Sequence, residues 1–153
     1  AMIAVSELAM HAGATIVTNT ITSRCVAEAV EANGGTIAVS KVGHTYVKAL
    51  MAATGAVFGG EHSAHYYFRD FWSADTGMLA ALHVLELLRE SDRPLSQLAA
   101  VYDGYSRSGE INSTVEDAQA CIDAVAQATV SSPINSSPII KAWASPSGLG
   151  CTA

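Results

Sequence analysis

Short apolar runs alternate with amphipathic segments along the first part of the chain. The runs are rich in β-branched side chains, as buried strands are, whereas the segments between them place apolar side chains at helical spacing. Strands are predicted over residues 14–18, 36–40 and 56–58, and helices over residues 2–12, 22–32 and 45–54. This order predicts an α/β fold, a βαβαβ three-layer domain with a mainly parallel sheet and right-handed crossovers.

Local signals mark the ends of these helices. Thr22 or Ser23 can cap the second helix through its hydroxyl group, and Asn33-Gly34 ends it. Gly55 ends the third helix, directly before the third strand.

An aromatic run over residues 66–72, expected to be extended, follows this unit. Asp75 is then expected to cap a long helix over residues 76–89, and Pro94 to begin a short helix that reaches residue 101. Four apolar side chains recur at helical spacing in the long helix and should face the core: Met78, Leu82, Leu85 and Leu88.

The remainder predicts a strand over residues 105–111, and then a helix whose capping box is Ser113 and Glu116. The apolar face of that helix would comprise Val115, Ala118, Ile122 and Val125. From residue 130 the chain is rich in Ser and Pro and has no clean period, so a shifted reading frame is one hypothesis for it. These changes in sequence pattern predict a domain over residues 1–102, the partial start of a further domain over 103–129 and an irregular tail over 130–153.

Composition narrows the function classes. Half of the 153 residues are apolar, and 14 acidic against 8 basic residues give a net charge of −6. Without a cluster of Lys and Arg, nucleic acid and membrane surfaces are not expected partners. The three cysteines are far apart in the sequence, which indicates reduced thiols and a cytoplasmic protein.

Candidate chemistry lies in the loops that follow the three predicted strands, over residues 19–21, 41–44 and 59–65. The carboxyl ends of parallel strands meet at one edge of a sheet, so these loops should gather on one rim, where such sheets bind ligands. The third loop begins with Gly59-Gly60, which permit a sharp turn and a close approach of a ligand to the main chain. It continues into the densest set of reactive side chains, residues 61–65.

The residue types in this loop suit a sugar. Glu61 can accept two hydroxyl hydrogens, and Ser63 can donate to or accept from a third group. His65 can exchange a proton near neutral pH, and His44 in the neighbouring loop can join it.

Other interpretations of the loop are weaker. Glu61 precedes both histidines, which are three residues apart, so the order does not match an H-E-x-x-H zinc site and no metal is expected. A nucleophilic pair of Ser63 and His65 is disfavoured, because residues two apart on an extended segment face opposite ways and no orienting acid is evident. Polar residues that only pack or face solvent remain an alternative for the whole loop.

The chain resembles the α-D-phosphohexomutases, the phosphomannomutase/phosphoglucomutase family. Val42-Gly43-His44, then the loop from Gly60 to His65, then Asp75-Thr76-Gly77 are similar to successive motifs of the family's third domain. Ser108 to Asn112 resembles the start of the fourth domain. Ala64 stands where the family loop usually has Gly, and it is accommodated without strain only if its φ is negative.

The resemblance implies roles for these residues. Glu61 and Ser63 would select sugar hydroxyls, with Gly60 beside them, and His65 and His44 would contact phosphate or act as acid and base. Arg24 is the nearest basic residue to the loop after the first strand, where the family often supplies one.

Other parts of the family's active site do not occur in these residues. The phosphoserine loop, the D-G-D-x-D-R loop that holds Mg²⁺ in the full-length enzyme and the R-x-S-N-T-E-P phosphate loop are all missing. No cofactor is therefore expected in this chain, and no turnover, since phosphoryl transfer depends on such parts.

The first hypothesis is a truncated phosphohexomutase that recognises mannose or glucose 1- or 6-phosphate. The full enzyme would move a phosphoryl group between C1 and C6. The second is a stand-alone module that binds a sugar phosphate or docks onto a protein without catalysis. Exposed interdomain surface would favour a homo-oligomer in either case.

Overall fold

The computed structural model describes residues 1–106 and 114–129. The helices within these ranges are α1 (Met2–Met10), α2 (Arg24–Ala32), α3 (His44–Thr54), α4 (Gly77–Arg89), α5 (Leu95–Ala100) and α6 (Ala118–Thr129). The strands are β1 (Thr15–Asn19), β2 (Thr36–Ser40), β3 (Phe58–Gly60), β4 (Tyr66–Phe68) and β5 (Ala74–Asp75).

The five strands form one sheet in the order β2-β1-β3-β4-β5. β2, β1 and β3 are parallel, with Ile16 of β1 opposite Ile37 on one side and Phe58 on the other. β4 is antiparallel to both of its neighbours, β3 and β5. The prediction of an α/β fold with a mainly parallel sheet is confirmed, and the helix boundaries at Ser23 and Gly55 are confirmed with it.

Two apolar layers cover the sheet, because successive residues of a strand point to opposite faces. Ile16 belongs to a cluster with Leu8 of α1, Val30 of α2 and Ala80 of α4. Its neighbour Val17 belongs to a second cluster on the α3 side of the sheet, together with Val47, Met51, Ala56 and Tyr67.

The third strand begins two residues later than expected, and its glycines lie within it. β3 spans Phe58–Gly60, so Gly59 is a packing position and not part of a turn. A Cβ atom on Gly59 would lie 2.9 Å from Met51 Sδ and 3.1 Å from Val47 Cγ1. The missing side chain therefore lets α3 approach the sheet closely.

The aromatic run is only partly extended. β4 ends at Phe68, and residues Arg69–Phe71 form a turn of 3-10 helix before the short strand β5, which the sequence pattern did not predict. Asp75 belongs to β5, where its Oδ1 accepts a hydrogen bond from the Tyr66 N–H at 2.9 Å. Thr76 caps α4 instead, accepting from the Leu79 N–H at 3.3 Å.

The expected core face of α4 was wrong for three of its four residues, and the fourth, Leu88, is half-buried. Met78, Leu82 and Leu85 are 73%, 52% and 59% exposed, whereas Ala80 is buried in the core and Val84 packs against it. The helix carries apolar residues around most of its circumference, so helical spacing alone did not select the buried side.

Residues beyond 106 belong to a second compact unit, of which the structure describes residues 114–129. α6 begins at Ala118, and Asp117 Oδ1 accepts from the Ala120 N–H at 2.9 Å, so this helix starts later than the capping box suggested. Ser113, most of the expected strand over 105–111 and the tail over 130–153 lie outside the described residues. The division at residues 102 and 129 stays a prediction.

Candidate functional site

The three loops after β1, β2 and β3 meet on one rim, as the βαβαβ alternation predicted. Glu61 directly follows β3, and its side chain reaches the ends of the other two strands. Glu61 Oε1 accepts hydrogen bonds from Asn19 Nδ2 at 3.2 Å and from the Gly43 N–H at 3.0 Å. One carboxylate oxygen therefore ties all three loops together.

The second oxygen of Glu61 is also bound within the protein. Tyr67 donates its hydroxyl hydrogen to Glu61 Oε2 at 2.7 Å. The Tyr67 side chain is fully buried in the cluster under α3, and Glu61 itself is 8% exposed. Asn19 is fixed as well, because Thr22 Oγ1 donates to its Oδ1 at 2.8 Å.

Electrostatics keep this carboxylate ionised. Burial by itself would raise the pKa of Glu61, but hydrogen bonds from Tyr67, Gly43 and Asn19 outweigh it and hold the pKa below its usual value. Burial raises the pKa of the Tyr67 hydroxyl far above its ordinary value, and the hydrogen bond to Glu61 adds to the effect. Tyr67 is therefore a donor and Glu61 an acceptor at every physiological pH.

The exposed part of the site is a tight turn over residues 61–65. The Glu61 N–H donates to the His65 carbonyl at 3.0 Å, and the Ala64 N–H donates to the Glu61 carbonyl at 3.1 Å. Ala64 lies at φ +65°, in the left-handed region that usually favours glycine. The condition for an unstrained alanine, a negative φ, is therefore not met, and the turn keeps the backbone conformation of a glycine here.

The same turn brings Ser63 and His65 together. Ser63 Oγ lies 2.8 Å from His65 Nδ1, and His65 Nε2 lies 3.9 Å from Asp75 Oδ2. The premise that these two side chains face opposite ways was wrong, since the segment is a turn and not extended. Asp75 thus places an acid beside this pair, which the sequence pattern did not reveal.

The two remaining candidates lie at helix starts. His44 is the first residue of α3 and is exposed, directly after the Gly43 N–H that binds Glu61. Arg24 is the first residue of α2, and its Nη2 lies 3.7 Å from Glu28 Oε1 in an exposed ion pair. Tyr105 also donates to that oxygen, so Glu28 has a second partner besides Arg24.

Asn19 and Tyr67 were not singled out from the sequence. A signal existed for Asn19, a polar residue that ends a buried strand at the ligand edge of the sheet. Tyr67 carried none, because a tyrosine within an aromatic run is most simply a packing residue. Its role became evident only once the register of β4 against β3 placed its hydroxyl on Glu61.

The described residues offer no metal site. Among residues 1–106 and 114–129, no group of three or more His, Cys, Asp or Glu side chains could hold an ion. The Mg²⁺ that the family resemblance implies thus finds no ligand set in this part of the chain. No described helix is long and apolar enough to cross a membrane.

Comparisons with known proteins agree with this geometry. Residues 1–105 match the family model for phosphoglucomutase/phosphomannomutase, alpha/beta/alpha domain III. The chain is 39% identical over 122 residues to phosphohexose mutases of Xanthomonas campestris pv. campestris, covering 79% of this chain and 27% of that protein. It is 39% identical over 129 residues to a phosphomannomutase of Escherichia coli K12, covering 82% and 28% respectively.

A crystal structure from the same family is also similar to this chain. A phosphoglucomutase/phosphomannomutase family protein from Burkholderia thailandensis superposes with a TM-score of 0.59 at 32% identity, over 69% of this chain and 22% of that one. The chain thus spans little more than a quarter of the curated relatives it matches. With a βαβαβ sheet, the Glu61 rim and a family model over residues 1–105, this chain belongs to the phosphoglucomutase/phosphomannomutase family, in its domain III region.

Proposed function

We propose that residues 1–105 recognise the sugar of a hexose phosphate for a phosphomannomutase/phosphoglucomutase. The observation that carries the proposal is the rim at the carboxyl ends of β1, β2 and β3, where a buried carboxylate and an exposed Ser63–His65 pair lie on adjoining segments. Parallel sheets bind ligands at this edge, and a sugar phosphate needs both hydroxyl partners and a phosphate partner.

The side chains of the rim suit different parts of a sugar phosphate. Glu61 accepts from sugar hydroxyls, and Ser63 can serve a further hydroxyl. His65 and His44 lie in neighbouring exposed segments, where a protonated imidazole would pair with phosphate or transfer a proton. Gly60 ends β3 beside them, and Arg24, at the start of α2, would add a positive charge from the exposed side chain that also pairs with Glu28.

In a full-length enzyme, the phosphoryl group would move between C1 and C6 of the sugar. These 153 residues alone are expected to bind without turnover, because the phosphoserine, Mg²⁺ and phosphate loops are not among them. The dispersed cysteines support a reducing, cytoplasmic setting.

The test is a titration with mannose 6-phosphate and glucose 1-phosphate, followed by NMR shifts of the 61–65 amides. We expect dissociation constants of the order of millimolar, since the isolated rim lacks the other phosphate contacts. His65→Ala should weaken binding by about tenfold, the effect of roughly 1.4 kcal/mol. His62→Ala is the matched control, because His62 is an exposed histidine in the same turn with no assigned role. Unchanged spectra at tens of millimolar ligand would overturn the proposal.

A further inference from the structure

A second buried carboxylate lies away from the rim, where α1 packs against α4. Glu7 of α1 is only 6% exposed, and its helix neighbours Ile3, Ala4 and Leu8 belong to the apolar cluster that includes Ala80 of α4. A carboxylate removed from water in this way destabilises the fold unless its charge is compensated. The charged groups that face Glu7 therefore affect how firmly α1 is held.

Two histidines face this carboxylate. His83 of α4 places its Nε2 3.2 Å from Glu7 Oε1, and His11, at the end of α1, places its Nε2 3.9 Å from Glu7 Oε2. The His83 ring is stacked on Phe68, with the ring centroids 5.1 Å apart and the planes 7° from parallel. His83 is thus the nearer partner, its ring is held by packing, and its contact with Glu7 joins two helices.

The 3-10 turn after β4 adds one charge of each sign near Glu7. Arg69 and Asp70 act on the pKa of Glu7 in opposite directions, and Arg69 Nε donates to Asp70 Oδ1 at 2.9 Å, so their charges largely offset each other. Asp70 Oδ2 also lies 4.0 Å from His11 Nε2, so His11 is shared between two carboxylates. Arginine keeps its charge at every physiological pH, whereas histidine changes charge between about pH 5 and pH 8. The histidines are therefore the facing cations that a change of pH near neutrality can remove.

We propose that Glu7 and His83 form a pH-sensitive latch, which holds α1 against α4 while His83 is protonated and loosens when His83 loses its proton. A protonated ring pairs with the carboxylate across the two helices. A neutral ring leaves Glu7 as a buried anion with weaker compensation, and α1 relieves that cost by moving away from α4 so that water reaches the carboxylate. Gly13, at φ +75° between α1 and β1, has nothing within 4 Å of its absent Cβ, so this connection leaves room for the movement.

The ionisation of Glu7 acts in the same direction. Burial raises the pKa of Glu7, and the charges of His83 and His11 lower it without cancelling the effect of burial. An acid whose pKa is higher in the folded state contributes stability that is present below its unfolded pKa and is lost as pH rises through its folded pKa. Loss of the His83 charge and ionisation of Glu7 therefore both weaken the contact between α1 and α4 as pH rises.

The carboxyl-carbon NMR titration of Glu7 tests the pairing directly. His83→Gln keeps a polar side chain beside Glu7 but cannot become a cation, so the midpoint of the Glu7 titration should move to higher pH by at least about half a pH unit. His62→Gln is the matched control, because His62 is an exposed histidine in the loop after β3, and it should leave the Glu7 titration unchanged. An unchanged Glu7 titration in His83→Gln would overturn the latch.

Hydrogen exchange of the α1 amides, corrected for the intrinsic effect of pH on exchange, measures the opening. In wild type the protection of these amides should fall at least threefold, relative to the α3 amides on the other face of the sheet, between about pH 5.5 and pH 8. Glu7→Gln removes the buried charge and can still hydrogen-bond to His83, so most of this pH dependence should disappear. Glu31→Gln, at an exposed glutamate of α2, is the matched control and should keep the wild-type dependence.

Each outcome of the exchange experiment supports or refutes the latch. The same pH dependence in Glu7→Gln as in wild type would show that Glu7 does not control the opening, and equal losses of protection in α1 and α3 would show that the whole domain unfolds; either result refutes the latch. If Glu7→Gln does not fold, wild-type exchange and the His83→Gln titration of Glu7 decide together. Neither measurement involves a sugar phosphate, so the result is independent of the proposed function.

Discussion

A single methyl group marks the strained point of the candidate site. Ala64 lies at φ +65°, and two further non-glycine residues, Trp72 and Ser73, have positive φ at 55° and 49°. The left-handed conformation costs an L-residue about 1–2 kcal/mol, and it persists here because the Glu61–His65 and Ala64–Glu61 backbone hydrogen bonds close the turn. The hydrogen bonds of the turn thus outweigh the preference of Ala64 for a negative φ.

Ala64→Gly should stabilise the protein by about 0.5 kcal/mol. Relief of the left-handed cost exceeds the greater unfolded-state entropy of glycine, which is about 0.4–1 kcal/mol. Gly55→Ala is the reverse control, since Gly55 lies at φ +66° with nothing within 4 Å of its absent Cβ, and it should destabilise by about 1 kcal/mol. Urea denaturation measures both. A destabilised Ala64→Gly beside a destabilised Gly55→Ala would contradict the strain argument.

At the level of elements, the sequence predicted the features that depend only on neighbouring residues in the chain. The Ser23 cap, the Gly55 end of α3 and the alternation of short strands with helices needed no tertiary information. The inward face of α4 and the identity of its cap depended on packing and on the β4–β5 pairing, which no local pattern contains. In the site, Glu61 and Ser63 follow from residue type, whereas Tyr67 and Asp75 follow only from strand register.

Gly59→Ala should show how closely α3 lies against the sheet. The added Cβ would be 2.9 Å from Met51 Sδ and 3.1 Å from Val47 Cγ1, so we expect a destabilisation of about 1–3 kcal/mol. Gly60→Ala is the neighbouring control, because its Cβ would meet nothing nearer than Phe58 at 3.4 Å. Thermal unfolding compares the two. Equal losses in both variants would contradict the packing argument, because a Cβ atom at Gly60 has no contact as close as those at Gly59.

At the scale of the whole molecule, residues 1–106 leave a large apolar surface on α4. Met78, Leu82 and Leu85 lie one and two turns apart along the helix and are more than half exposed, at 73%, 52% and 59%. Exposed apolar patches of this kind mark protein contacts. The chain covers only 27% of a phosphohexose mutase relative, so surface that a longer protein would cover is expected on this segment.

We therefore expect these 153 residues, isolated, to self-associate through α4. Leu82→Glu places a charge at the centre of the stripe, so its burial in an interface would be unfavourable and the oligomer should dissociate at least tenfold more readily. Val42→Glu is the matched control, an exposed apolar residue, 51% accessible, in the loop between β2 and α3. Sedimentation velocity over a range of concentrations measures both. A wild-type monomer at high concentration would refute self-association, and an oligomer that Leu82→Glu leaves intact would move the interface away from α4.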